Sequence, residues 1–308
     1  VKTKGIVVLL IITTALLAVV AAAIGPGPRS GVSMAGGPVI AVVRIDGVIM
    51  TGLGQTTLLG STSGSDSVVA TLNRLRSDAA VRAVVLRVNS PGGTPAAAQE
   101  IAEAVAAVRR AGKVVVTSMA DVAASGAYWI AAGTDHIVAD PGTITGSIGV
   151  IWQFANYEEL YRKLGIDYTT FTSGPFKDMG STSRALTPEE KEIVKAIIDD
   201  TFNQFVEAVA AGRGMDRDAV LQLADGRIFT GNQAYAAGLV DSLGGLGPAV
   251  EKAAELSGLG TYRVVEYGRK SPLQVLLGEV SALLRDLRLV LLPGGGLLGP
   301  TGPGVEGP

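Results

Sequence analysis

"VRAVVLRVNSPGGTPAAAQEIAEAVAAVRRAGKVVVTSMADVAASGAYWIAAG", residues 81–133, holds two strand–turn–helix units in succession. The run 81–89 is nearly continuous β-branched and apolar sequence, which suits a strand buried on both faces of a parallel sheet. It stops at Asn89-Ser90, and Pro91-Gly92-Gly93 turns the chain into a helix over 94–112 that ends at a glycine. "KVVVTSMA", 113–120, reads as a second buried strand, and "GAYWIAA", 126–132, as a short apolar helix after it. This alternation predicts an α/β fold with helices packed on a largely parallel sheet.

The pattern extends in both directions. Upstream, "VIAVVRIDGVIM" (39–50) reads as a strand, and "SDSVVATLNRLRSD" (65–78) as a helix with apolar positions three and four apart. Downstream come a short strand "HIVAD" (136–140), the apolar "IGVIWQF" (148–154), a helix "YEELYRKLG" (157–165) and a strand at "IDYTTFTSG" (166–174). Thr187-Pro188-Glu189-Glu190 is a capping box with proline at the first helical position, opening a long helix to Gly212. "GRIFTGNQAYAAGLVDSLGG" (226–245) reads as strand, short helix and turns, and one more helix and strand close the domain at Gly268.

Composition removes several function classes. The chain has 308 residues, no cysteine, one histidine and a net charge of −2. Disulfides and thiolate metal sites are excluded, and a histidine-based metal cluster cannot be built. Charges of mixed sign argue against a nucleic-acid partner, which calls for a basic face. Gly5 to Ile24 is a run of 20 uncharged residues behind Lys2 and Lys4. That is about the length of a membrane-crossing helix, and the lysines would stay cytoplasmic. The competing reading is a signal peptide cleaved near Ala21-Ala22-Ala23, but cleavable apolar regions are shorter, about 7–15 residues. Either way the main domain lies outside the cytoplasm.

The expected organisation is therefore a cytoplasmic tip and transmembrane anchor over 1–24 and a Gly/Pro/Ser linker over 25–37. A catalytic domain follows over 38–268, then an amphipathic helix over 269–292 and a disordered Gly/Pro tail over 293–308. The stripe Leu273, Leu276, Val280, Leu283, Leu284 and Leu287 would pack on its own protein, on a neighbouring subunit or on a membrane surface.

Candidate chemistry collects at strand ends. Glycines at 92 and 93 expose backbone N–H groups that could bind an oxyanion, or they simply form an ordinary strand-to-helix turn. Ser125 occupies the equivalent place one unit later, followed by Gly126. It is either the N-cap of a buried helix or a nucleophile beside amide donors at a helix N-terminus. No G-x-S-x-G elbow and no S-x-x-K occurs around it. His136 is the only histidine, and lysine is the remaining common base for serine. Lys177, in "TSGPFKDMGS", lies between Phe176 and Met179 on a loop. To act as a base it must fall from about 10.4 toward neutrality, which burial would achieve and which Asp178 opposes unless it points away.

Four separated motifs, "VNSPGG", "DVAASGAYWIAAGTDHIVADPGTITGSIGVI", "GPFKDMGSTSRALTPEE" and "GRIFTGNQAYAAGLVD", resemble the short form of signal peptide peptidase A. This is a family of membrane-anchored serine proteases with a crotonase/Clp-protease-like fold, and the likeness runs from about Pro38 to Gly268. The resemblance implies a Ser-Lys dyad of Ser125 and Lys177, with Ser147 holding the lysine. It implies an oxyanion hole from Gly92, Gly93 and Gly126. It also implies no cofactor, a homo-oligomer in which neighbouring subunits can complete the dyad, and cleaved signal peptides or other hydrophobic peptides as substrates at the plasma membrane. Ala127 stands where glycine is common, and 271–308 lies outside the pattern. Rival readings are a protease that trims a membrane-protein partner, a crotonase-type acyl-thioester enzyme and an inactive membrane scaffold.

Overall fold

The computed structural model describes residues 37–57 and 60–267. The anchor at 1–24, linker residues 25–36, the amphipathic segment 269–292 and the tail 293–308 lie outside the described residues. Among the described residues no helix is long and apolar enough to cross a membrane.

The strands are β1 (Val39–Asp46), β2 (Val48–Met50), β3 (Gln55–Thr57), β4 (Gly60–Gly64), β5 (Val81–Ser90), β6 (Val114–Ala124), β7 (His136–Ala139), β8 (Ile144–Gly146), β9 (Ile228–Thr230), β10 (Ser242–Leu243) and β11 (Arg263–Tyr267). The helices are α1 (Ser65–Ser77), α2 (Pro95–Arg110), α3 (Gly126–Ala132), α4 (Glu158–Lys163), α5 (Pro188–Arg213), α6 (Arg217–Leu223), α7 (Gly231–Ala236) and α8 (Leu246–Leu256). Eight strands form one sheet in the order β10-β7-β6-β5-β1-β11, with β8 beside the end of β6 and β9 beside β8. All pairings are parallel except β8 with β9. A small sheet, β2-β4-β3, stands apart.

Both faces of the central strands are covered, which explains their continuous apolar sequence. Along β1, Ala41, Val43 and Ile45 join the core with α1, α2 and α3, while Ile40 and Val42 join a second cluster under α8. α2 buries Ala97, Ala98, Ile101, Ala104, Val105 and Val108 along one stripe. Every residue of α3 is buried, and Trp129 stacks on Phe205 of α5 with ring centroids 4.8 Å apart. Truncating such a ring costs about 3–5 kcal/mol, so α3 is held by packing on all sides.

Two expectations need correction. The strand expected at 166–174 does not form. That segment pairs with no strand among the described residues, and Phe171 is 92% exposed. β-propensity in "IDYTTF" cannot substitute for a sheet edge to pair with. "IGVIWQF" likewise runs as irregular chain after β8. In the other direction, β6 continues four residues past Ala120 to Ala124, carried by its pairing with β8.

Candidate active site

Three parallel strands end side by side, and each delivers one part of the site. Ser90 of β5 is in register with Ala123 of β6, and Ala124 of β6 is in register with Gly146 of β8. The next residues are therefore neighbours at the carboxyl edge of the sheet: the Gly92-Gly93 turn, Ser125 and Ser147. Ligands of open α/β sheets bind at this edge.

Ser125 and Ser147 are the only non-glycine residues with positive φ among the described residues, at 54° and 50°. Such backbone costs an L-residue of order 1–3 kcal/mol and persists only where its surroundings enforce it. Hydrogen bonds do so here. The Ser125 N–H donates to Gly146 O at 2.9 Å, and the Ser147 N–H donates to Arg227 O at 2.8 Å. The main-chain carbonyl of Ser125 starts α3 by accepting from Trp129 N–H at 3.0 Å, yet its hydroxyl caps nothing. Of the two readings of this serine, the side-chain cap is the one the structure removes. The hydroxyl is left half-exposed at the sheet edge.

The glycines divide into two roles. Gly92 has φ 101°, and a Cβ there would lie 2.8 Å from Ser125 Cβ, Ala124 O and Gly126 N. Its bareness lets the turn lie against the serine, while its own N–H donates to Ser90 Oγ at 3.1 Å. The Gly92 amide is thus committed, which corrects the expectation that it could serve an oxyanion. Gly93 bridges to Ile49, but that bridge uses the N–H groups of Ile49 and Thr94. The amides of Gly93 and Gly126 lie outside those bonds, and a Cβ on Gly126 would be 3.4 Å from Gly93 N. This pair of donors beside Ser125 has the form of an oxyanion hole. Ser90, fully buried, is the residue that the sequence reading missed. Its signal was its place between a buried strand and two glycines.

Lys177 makes no hydrogen bond or ion pair with this sheet edge among the described residues. It is exposed, in the turn 174–180, on a segment from 150 to 186 that carries exposed Ile151, Trp152, Leu160, Leu164, Tyr168 and Phe171. Its N–H donates to Gly174 O at 3.2 Å, and its amine has no partner among the described residues. The chain does not bring Lys177 to Ser125 through any hydrogen bond or ion pair, and the expected burial of its amine is absent within one chain. Asp178 pairs with Arg184 and not with Lys177: Arg184 Nε and Nη2 donate to its two oxygens at 2.9 and 2.7 Å. The same guanidinium donates to Glu190 at 2.8 and 2.6 Å and holds both carboxyls below their usual range. Glu190 also completes the expected capping box with Thr187.

His136 is not near the serine. It opens β7 opposite Val116, and eight residues of β6 lie between Val116 and Ser125, roughly 30 Å of extended strand. Its Nε2 meets Ser242 Oγ at 2.8 Å, and burial lowers its pKa, so it is a half-buried structural group.

Comparisons with known proteins place the chain among peptidases. The sequence pattern of peptidase family S49 matches residues 107–260, and that of Clp protease matches 58–139. A putative protease of Synechocystis is 48% identical over 177 residues, 58% of this chain and 64% of the relative. A putative signal peptide peptidase SppA of Enterococcus faecium is 41% identical over 64% of this chain and 57% of its own. Protease 4 of Salmonella typhi is 36% identical over 83% of this chain and 42% of its own. The chain thus spans less than two thirds of the length of each of these relatives.

Proposed function

The chain belongs to peptidase family S49, and from that premise we propose that it is a membrane-bound serine endopeptidase working through Ser125 and Lys177. Ser125 Oγ attacks the scissile carbonyl and its proton passes to the Lys177 amine. The carbonyl oxygen, now negative, takes the N–H groups of Gly93 and Gly126. Collapse of the intermediate expels the amine product, which takes the proton back from Lys177. Water then hydrolyses the acyl-enzyme, again with Lys177 as base. Ser147, one residue past the strand paired to the nucleophile's own, is the hydroxyl proposed to hold the lysine once the dyad is assembled.

The observation that carries the reading is the strained Ser125 lying against Gly92 with two uncommitted amides beside it. The exposed amine of Lys177 favours a dyad completed between neighbouring copies in a homo-oligomer, because docking of a second copy would supply the burial a lysine base needs. The substrates are hydrophobic peptides, remnant signal peptides above all, presented at the bilayer surface. An acyl-thioester role has no feature of its own here, since the same amides serve either chemistry and the family is a peptidase family.

The test is a serine-reactive phosphonate followed by mass spectrometry of the full-length protein. Labelling confined to Ser125, and lost in Ser125→Ala, is the expected result. Folded protein that takes no label would overturn the proposal.

A further inference from the structure

The Lys177 turn carries a device that the dyad alone does not account for. A base lysine followed immediately by an aspartate is a poor arrangement, because a carboxylate within about 4–6 Å favours the charged amine. Here Arg184 takes Asp178 with a two-pronged fork, Nε and Nη2, and takes Glu190 with Nη1 and Nη2. Its Nη1 also reaches Ala185 O at 3.0 Å. Glu190 is the anchor: its side chain is 1% exposed, and it also accepts the Thr187 N–H at 2.8 Å. The turn is thereby tied to the first turn of the 26-residue α5, itself packed on the core helix α3 through Phe205.

We infer that Arg184 is a positioning residue for Lys177, holding the Asp178 carboxylate away from the amine and fixing the 174–183 turn to the start of α5. This rests on the Ser-Lys reading. The charged groups of the turn and its support are Lys177, Asp178, Arg184 and Glu190. Packed against them, Tyr157 and Tyr161 meet Thr182, and on α4 Glu159 pairs with Arg162. A lysine at 184 would keep charge but could not fork to two carboxylates.

The experiment measures kcat/KM against pH for full-length protein on an apolar fluorogenic peptide, between about pH 6 and pH 10. In Arg184→Met the rising limb, which reports loss of the proton from the base, is expected to move up by about one pH unit. Activity near neutrality then falls about tenfold. Asp178→Asn added to Arg184→Met is expected to return the midpoint to its original place, because the released carboxylate is gone. A purely structural role would lower kcat without moving the midpoint and would not be reversed by Asp178→Asn. An unmoved midpoint in Arg184→Met, or a shift that the second substitution leaves in place, overturns the inference. Should Arg184→Met fail to fold, Arg184→Lys replaces it, with a smaller shift and the same reversal required. Lys177→Met run in parallel separates the two failures. If it keeps full activity, the dyad itself is wrong; if it is inactive and Arg184→Met is unshifted, only the role of Arg184 is wrong.

Discussion

The nucleophile's surroundings and the lysine's surroundings are built by different physics. Around Ser125, three strands in fixed register and a fully buried helix leave no freedom, and even the strained backbone is enforced by ladder bonds. Around Lys177, among the described residues, the segment forms no strand and buries almost nothing. The segment 150–186 is held by the Arg184 network and by a chain of aromatic contacts, Trp152 with Phe154 and Tyr161 with Tyr157 and Tyr168. One half of the proposed dyad is thus preorganised within the chain. The other is a surface element whose final environment depends on what covers it.

That contrast can be broken most severely at the chemistry. Ser125→Ala and Lys177→Met are each expected to lower peptide cleavage by about three orders of magnitude or more, the scale seen when a nucleophile or its base is removed. Thermal melting should separate the two halves no further: Lys177 is exposed and its amine has no partner among the described residues, so Lys177→Met leaves the melting temperature in place. A large drop in melting temperature for Lys177→Met would mean that the amine is buried in the assembled protein by a polar contact it cannot lose.

Next in size is Gly92→Ala. The added methyl would meet three atoms at 2.8 Å, one of them Ser125 Cβ, with φ at 101°. Overpacking and backbone strain together predict a loss of about 2–4 kcal/mol in denaturant unfolding. They also predict a collapse of phosphonate labelling at Ser125. Full labelling with unchanged stability would show that the turn does not press on the nucleophile.

The same division decides what could be read from the sequence. Strands and helices of the sheet were legible because burial on two faces or one stripe leaves a pattern in the residues themselves. "VRAVVLRVN" and "AAAQEIAEAVAAV" fit nothing else. The adjacency of Ser125 and the Gly92-Gly93 turn was legible from strand–turn repetition, whereas Ser147 came only from resemblance, and the β6–β8 register that sets it beside Ser125 comes from tertiary pairing. The commitment of the Gly92 amide to Ser90 was not legible, since one hydroxyl after a strand looks like any other. The strand at "IDYTTFTSG" failed for the opposite reason: its residues favour extended chain, but extension becomes a strand only beside a free edge. Lys177 itself rests on resemblance, because an exposed lysine in a turn has no local signature of catalysis.

The exposed side supplies a milder break. Phe171→Ser and Leu160→Ser replace apolar groups that are 92% and 51% exposed, so unfolding free energy should change by no more than about 0.5 kcal/mol. If the segment is covered by a second copy, the same substitutions should lower the mass found by sedimentation and lower activity in parallel. Sedimentation and activity both unchanged would show that this apolar surface faces neither a neighbouring copy nor substrate.

The smallest effect sharpens the comparison through pH. Arg184 hydrogen bonds hold Asp178 and Glu190 below the usual carboxylate range, with Thr187 adding to Glu190. A depressed carboxylate contributes stability that is fully present above its unfolded pKa, about 4, and is lost as pH falls through its folded value. Protonation should therefore release the Lys177 turn only below about pH 4, before the Ser125 region responds, because backbone pairing sets that region's register and the Asn89–Asp121 contact beside it is long, at 3.3 Å, and exposed. Amide hydrogen exchange compared between about pH 5 and pH 3 should show faster exchange over 174–190, with 116–130 unchanged relative to the intrinsic rate. Glu190→Gln should already exchange fast at the higher pH and respond little to acid. Equal acceleration of both regions would mean that the turn and the nucleophile are one cooperative unit and that the contrast between them does not hold.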